Sequence, residues 1–495
     1  MQAVAVATGA VLGAVAAIVW HVLSRRIETE ALFAALGRSV RAMFSEEGDF
    51  LREYGALLLR VGVWVMWTTL AVAAAVAPFV IVYGLFQAPL AGHWTLLIVV
   101  YCVASMAGIV WLQRRDARGA RGDDRRGLSV SDSQFFFLQC VNGAPWLMQR
   151  GAALESRWLR GRLERVRIDQ PVFVTGLARS GTTMLLELLA QAEGVATHRY
   201  RDFPFLMTPW FWNRFVDVFG VRGEKTPRPH RDGINISPES PEAFEEPLWQ
   251  QFFPDAHRPV VSHVLTADDR KPAFDEAFVE HVRKMLLLRQ GTRYVSKGNY
   301  NVTRIAYLAS LFPDARFVVP IRHPATHVAS LVRQHELFCE YARQDPRVPE
   351  YLKAAGHYEF GPHREPISVD GSGEQILAAW ETGDEHGGYA LQWAAVYRFV
   401  QELLAQSPEL AERVMVVRYE DLCDEPRREL TAILRHVGLE REGAGLLDRL
   451  GHIQHSSRHR GDDDPHAGDV WRVAESVAGA FGYAFPPATR RGLRL

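Results

Sequence analysis

The run Pro171–Thr175 (PVFVT) leads straight into Gly176-Leu177-Ala178-Arg179-Ser180-Gly181-Thr182-Thr183, and then into an apolar stretch of helical character ending near Gln191. No other segment narrows the fold as much. A short β-branched and aromatic run bounded by glycine reads as a buried strand. The glycines let the backbone turn tightly and approach a bound anion closely. Backbone N–H groups at the start of the following helix then face that anion. Further strand-like runs, Arg293–Ser296, Arg316–Ile321 and Arg413–Arg418, alternate with helix-like runs at Thr303–Leu311, Ala325–His335 and Glu425–Val437. The alternation predicts an α/β fold, a parallel sheet with helices on both faces. Ligands of such sheets bind at the carboxyl ends of the strands.

The loop resembles a P-loop but departs from it where the chemistry matters. A P-loop NTPase has Lys and then Ser or Thr after the second glycine, the lysine for the β/γ-phosphates and the hydroxyl for Mg²⁺. Here Thr182 takes the lysine's place, Arg179 sits inside the loop, and the strand RFVVPI ends in Arg322 rather than a metal-holding Asp. These departures suit a ligand with isolated phosphates better than a triphosphate.

The segment GLARSGTTMLLELL resembles the 5′-phosphosulfate loop of sulfotransferases that use 3′-phosphoadenosine 5′-phosphosulfate (PAPS), with Ala178 in place of the usual proline. Further on, Arg322-His323-Pro324 and Ser330 are similar to that family's 3′-phosphate clamp, in residue type and spacing. An Arg offers a rigid fork for bidentate phosphate contact. The resemblance covers about residues 171–439 and is nearer to the bacterial carbohydrate or lipid and tyrosyl-protein branch. It implies a P-loop-like sulfotransferase fold, a donor site formed by Arg179, Ser180, Gly181, Thr182, Thr183, Arg322, Ser330 and Tyr419, and no metal. Tyr419 belongs to VRYEDL, similar to a family strand end near the adenine. Lys297, closing YVSK, stands where the family often has a lysine, and would stabilise charge at the transferring group.

Sulfuryl transfer also needs a group to take the acceptor's proton. Candidates are His198, Asp202, His230, Glu245 and Glu246, with His198 and Glu246 favoured. Two other readings stay open: a membrane-associated P-loop kinase or NTPase, opposed by the missing GK[ST], and a non-catalytic membrane scaffold with a degenerate nucleotide fold.

The N-terminal quarter differs from the rest. Residues 3–23, 61–86 and 94–112 are apolar and free of Asp, Glu, Lys and Arg. Each approaches or exceeds the ~20 residues that cross a bilayer. About three transmembrane helices are expected in 1–112, then a basic linker and helical lead-in over 113–167, then a sulfotransferase domain over 168–495. Arginines crowd the segments before the second and after the third stretch and are absent between them. The positive-inside rule therefore predicts a multi-pass protein of a bacterial-type inner membrane with a cytoplasmic catalytic domain. The partners expected are the lipid bilayer and a small-molecule, glycan or lipid acceptor. A formal net charge of −1 over 495 residues argues against a nucleic-acid partner. Four dispersed cysteines have no zinc-like spacing. Three other stretches invite a role: the aromatic run 203–219 as an acceptor wall or a surface against the bilayer, the Gly- and charge-rich stretch 341–388 as a lid, and the His/Asp cluster 452–466 as a loop near the donor. Oligomeric state leaves no trace in the sequence.

Overall fold

The computed structural model describes residues 128, 130, 135, 138, 145–219, 226–230, 235–369, 371–449 and 464–485. All lie within Gln113–Leu495, the second of the chain's two compact units. The three expected spans lie outside the described residues, as does most of the His/Asp cluster. Among the described residues no helix is long and apolar enough to cross a membrane.

The centre is a five-stranded sheet in the order β2-β5-β1-β6-β7. Its strands are β1 (Val172–Val174), β2 (Val195–Ala196), β5 (Arg293–Lys297), β6 (Arg316–Ile321) and β7 (Val414–Arg418), all paired in parallel. β3 (Thr226–Pro227) and β4 (Asn235–Ile236) form a separate antiparallel pair. Because side chains alternate across a strand, neighbouring residues serve two cores. Phe173, Tyr294, Phe317 and Val319 join a large aromatic core with Trp249, Phe274 and Trp393. Val172, Val174, Val295 and Val318 meet Leu185, Leu186, Leu430 and Ile433 on the other face. Burial on both faces explains why these strands read as unbroken apolar runs. Each such side chain contributes about 1.5–3 kcal/mol.

Pro320 inside β6 looks out of place in an interior strand. β1 pairs with β6 only as far as Val318, so the missing N–H of Pro320 faces the glycine loop, where the ladder has ended.

Helices pack on both faces as the alternation predicts. Those used below are α1 (Pro145–Leu163), α2 (Thr182–Leu189), α3 (Pro272–Arg289) and α4 (Pro324–Gln344). The stretch 341–388 is not an open excursion. It holds short helices at Val348–Ala354 and Ser372–Glu381, and it is pinned by buried Phe360, Ile367 and Val369. Gly356, Gly361, Gly371 and Gly383 take positive φ at its turns. The glycines that make it read as a loop are the residues that bound its short helices.

Candidate active site

β1, β5, β6 and β7 end along one edge of the sheet, and each delivers a polar group there. β1 gives the glycine loop, β5 Lys297, β6 Arg322 and β7 Tyr419. Gly176 has φ 152° and Gly181 φ 108°. A β-carbon on Gly176 would lie 2.9 Å from the Pro320 carbonyl oxygen, and one on Gly181 would lie 2.8 Å from the Tyr419 ring. Both positions therefore exclude side chains by conformation and by space. Arg179 also has positive φ, 70°, an uncommon state for a residue with a β-carbon.

Buried side chains hold the loop. His327, on α4, donates from Nε2 to the Ala178 carbonyl at 2.8 Å. Burial pushes its pKa down to about 3, so the ring is neutral with its proton on Nε2. Thr175 Oγ1 donates to the Gly298 carbonyl at 2.7 Å, tying β1 to β5. Thr182 Oγ1 donates to Asn299 Oδ1 at 3.3 Å.

The groups expected at the two ends of a donor nucleotide are neighbours. Arg179 Nε donates to Ser330 Oγ at 3.4 Å, and Arg322 Nη1 to the Arg179 carbonyl at 3.5 Å. Arg322 also donates from Nε to Thr326 Oγ1 at 3.2 Å and lies 5.0 Å over the Tyr419 ring. Pro324 opens α4 at its first turn, where a proline loses nothing. Ser330, two turns on, is buried beside Arg179. The end of β6 is braced by Trp393, which donates to the Arg322 carbonyl at 3.1 Å, and by Tyr483, which donates to Glu420 at 2.8 Å.

On the other flank Lys297 is buried among charges. Burial pulls its pKa down, and Glu242 and Glu359 partly restore it. Glu242 is fully engaged: Oε2 accepts from Tyr200 and, at 3.1 Å, from Arg228, while Oε1 accepts from the Ala243 N–H at 2.7 Å. Glu359 is not. Its Oε1 accepts from Asn299 Nδ2 at 2.6 Å, but its buried Oε2 makes no hydrogen bond and faces His357 Nδ1 at 3.6 Å. Burial would raise the Glu359 carboxyl, yet His357, Asn299 and Lys297 outweigh it and hold it at about 2. Asn299 thus bridges the loop's Thr182 to Glu359.

The two favoured proton acceptors are committed elsewhere. His198 is buried at the end of the edge strand β2, bonded to His281 at 3.2 Å and stacked on it. Burial brings its pKa to about 4. Glu246 takes two bonds from Arg304, at 2.7 and 2.9 Å, and one contact from His257 at 2.6 Å. Burial opposes its ionisation, but Arg304 and His257 hold it at about 2. Glu245 accepts from Tyr294 and Asn301, and Asp202 pairs with Arg289. His230 lies within electrostatic reach of Arg228, Arg179, His357 and Lys297, which with burial hold its ring neutral. Sequence reasoning missed Asn299, His327, Glu242, His357 and Glu359. Asn299 was within reach, two residues after Lys297. The others carry no local pattern. Among the described residues no group of three or more His, Cys, Asp or Glu side chains is placed to hold a metal ion.

Fold and site define a P-loop-like α/β domain whose strand ends gather cations around a glycine cradle. Residues 171–356 match the sequence profile of the Sulfotransferase family. Among curated proteins the chain is similar to the omega-hydroxy-beta-dihydromenaquinone-9 sulfotransferase Stf3 of Mycobacterium tuberculosis and of Mycobacterium bovis. Each is 23% identical over 335 residues, covering 62% of this chain and 71% of the relative. Among solved structures, sulfotransferase STF1 of Mycobacterium tuberculosis aligns at 15% identity over 75% of this chain and 97% of that one, with a TM-score of 0.41. STF9 of Mycobacterium avium aligns at 16% identity over 68% and 83%, with a TM-score of 0.39. Superpositions this loose add nothing to the strand order above.

Proposed function

We propose that the chain transfers a sulfuryl group from PAPS to a hydroxyl of a membrane-borne acceptor, on the cytoplasmic side of a bacterial inner membrane. The observation that carries the donor is the single cationic rim made by Arg179, Ser330 and Arg322 beside the glycine cradle. Cradle amides and Arg179 suit the 5′-phosphosulfate, Arg322 and Ser330 the 3′-phosphate, and Tyr419 the adenine side. A nucleoside triphosphate fits less well, because Thr182 replaces the P-loop lysine and its hydroxyl is bonded to Asn299.

Transfer forms a bond from the acceptor oxygen to sulfur and breaks the bond from sulfur to the phosphate oxygen. Positioning and charge neutralisation supply most of the catalysis, as in phosphoryl transfer. Lys297, buried at the end of β5, meets the charge that grows on the departing phosphate oxygen. The acceptor's proton passes to Glu359 Oε2, which has the partly exposed His357 3.6 Å away. A weakly basic carboxylate suffices, since bonding to sulfur makes that proton strongly acidic.

The Stf3 relatives are named for a hydroxylated menaquinone, a membrane lipid. That name and the apolar spans expected at 3–23, 61–86 and 94–112 support a lipid or lipid-linked alcohol as acceptor. Calorimetry with 3′-phosphoadenosine 5′-phosphate tests the donor, and radiolabelled PAPS with membrane extracts tests the acceptor. Binding without Mg²⁺ and label in the lipid fraction are expected. A chain that ignores the bisphosphate but hydrolyses Mg²⁺·ATP would overturn the assignment.

A further inference from the structure

We propose that the outward face of α1 is a docking surface for anionic phospholipid, separate from the donor site. α1 has two unlike sides. Inward, Glu155, Leu159 and Leu163 are buried. Glu155 is the helix's sole acidic residue, and the interior uses it up: one oxygen accepts from the Phe211 N–H at 2.7 Å, the other pairs with Lys284 at 3.2 Å.

Outward, Trp146, Leu154 and Trp158 are 58%, 59% and 73% exposed. They are three of seven large exposed hydrophobics among the described residues, gathered on one helix. Steps of four residues through Arg150 put them along one stripe. Arg150, Arg157, Arg160 and Arg162 are exposed on the same helix. Arg150 lies 5.4 Å over the Trp146 ring, and Arg162 and Arg214 flank Trp210 at 5.4 and 5.0 Å.

Charge complementarity selects the occupant. Indole rings seat at the headgroup level of a bilayer, and arginines beside them attract anionic lipid. The face offers only cations, so an acidic surface matches it. The place of α1 in the chain agrees, since it begins 33 residues after the last expected span ends at Leu112 (145 − 112). The inference rests on the membrane reading but not on PAPS.

The test uses the full chain, without donor, in vesicles of phosphatidylglycerol and phosphatidylethanolamine carrying a diazirine-bearing phosphatidylglycerol. After photolysis, lipid adducts are mapped by mass spectrometry. Adducts are expected on peptide 145–163. Replacing Arg150, Arg157 and Arg160 by Gln cuts their yield about tenfold, as does phosphatidylcholine in place of both lipids. Bisphosphate binding in the triple variant is unchanged, which reports an intact domain. Absence of adducts on 145–163, whatever the labelling elsewhere, overturns the docking surface. Equal yield from the triple variant does so too. Failure of the unsubstituted chain to bind the bisphosphate, with its adducts on 145–163 present, strikes the donor assignment alone.

Discussion

The two flanks of the strand-end edge are built on different plans. The donor flank is local. One continuous segment supplies the cradle, and another, Arg322 to Ser330, supplies the clamp. Each is a strand end with its following helix. The flank around Lys297 and the nearby Asn299 is assembled from distant pieces: Tyr200, Arg228, Glu242, His357 and Glu359. A grip on a fixed anion needs backbone geometry, which adjacent residues provide. A proton acceptor needs one free oxygen among spent ones, which only tertiary packing provides.

The sharpest test of that contrast is Glu359→Gln. The amide keeps the Asn299 bond but takes no proton, so kcat falls about 10²–10⁴-fold while bisphosphate affinity holds. A kcat within threefold of wild type would move the proton acceptor elsewhere. Replacing Arg304 by Met comes next. It strands the buried Glu246 carboxylate and costs about 3–5 kcal/mol in thermal or denaturant unfolding. A pH effect follows from the same pair. Glu246 ionises at about 2 when folded, against an ordinary 4.5. Its stabilisation is complete above 4.5 and lost as pH falls toward about 2. Glu246→Gln therefore lowers stability at neutral pH and flattens its acid dependence over that window. Arg322→Ala weakens bisphosphate binding by about 2–5 kcal/mol and leaves the melting temperature unchanged. The smallest effect is that of Tyr419→Leu, about 1 kcal/mol in bisphosphate affinity from the lost cation–π contact. Should Tyr419→Leu match Arg322→Ala, the aromatic would rank with the clamp.

The same contrast explains what could be read before folding. The parallel sheet was legible because its strands are buried on both faces, and β6 falls where RFVVPI places it. The glycine loop and the Arg322–Ser330 segment were legible because in each a strand end, a turn and a helix sit together. Helix α4 runs on to Gln344, well past His335, because Phe338 and Tyr341 keep it packed against the core. His198 and Glu246 are both engaged by distant partners, because polarity near the right strand ends says nothing about who spends the lone pairs. Glu246 is spoken for by Arg304, fifty-eight positions later. Glu359 is held by Asn299, sixty positions earlier, which nothing in its own neighbourhood foretells.

The meeting of Gly181 with the Tyr419 ring ties the site's two ends into one inheritance. The aromatic occupies the volume that any larger residue in the turn would claim. Trimming the tyrosine would clear that volume, yet the left-handed twist at Gly181 would still refuse a newcomer. Neither position can drift alone, so a descendant that kept the glycine turn but abandoned the ring would carry an open notch beside it.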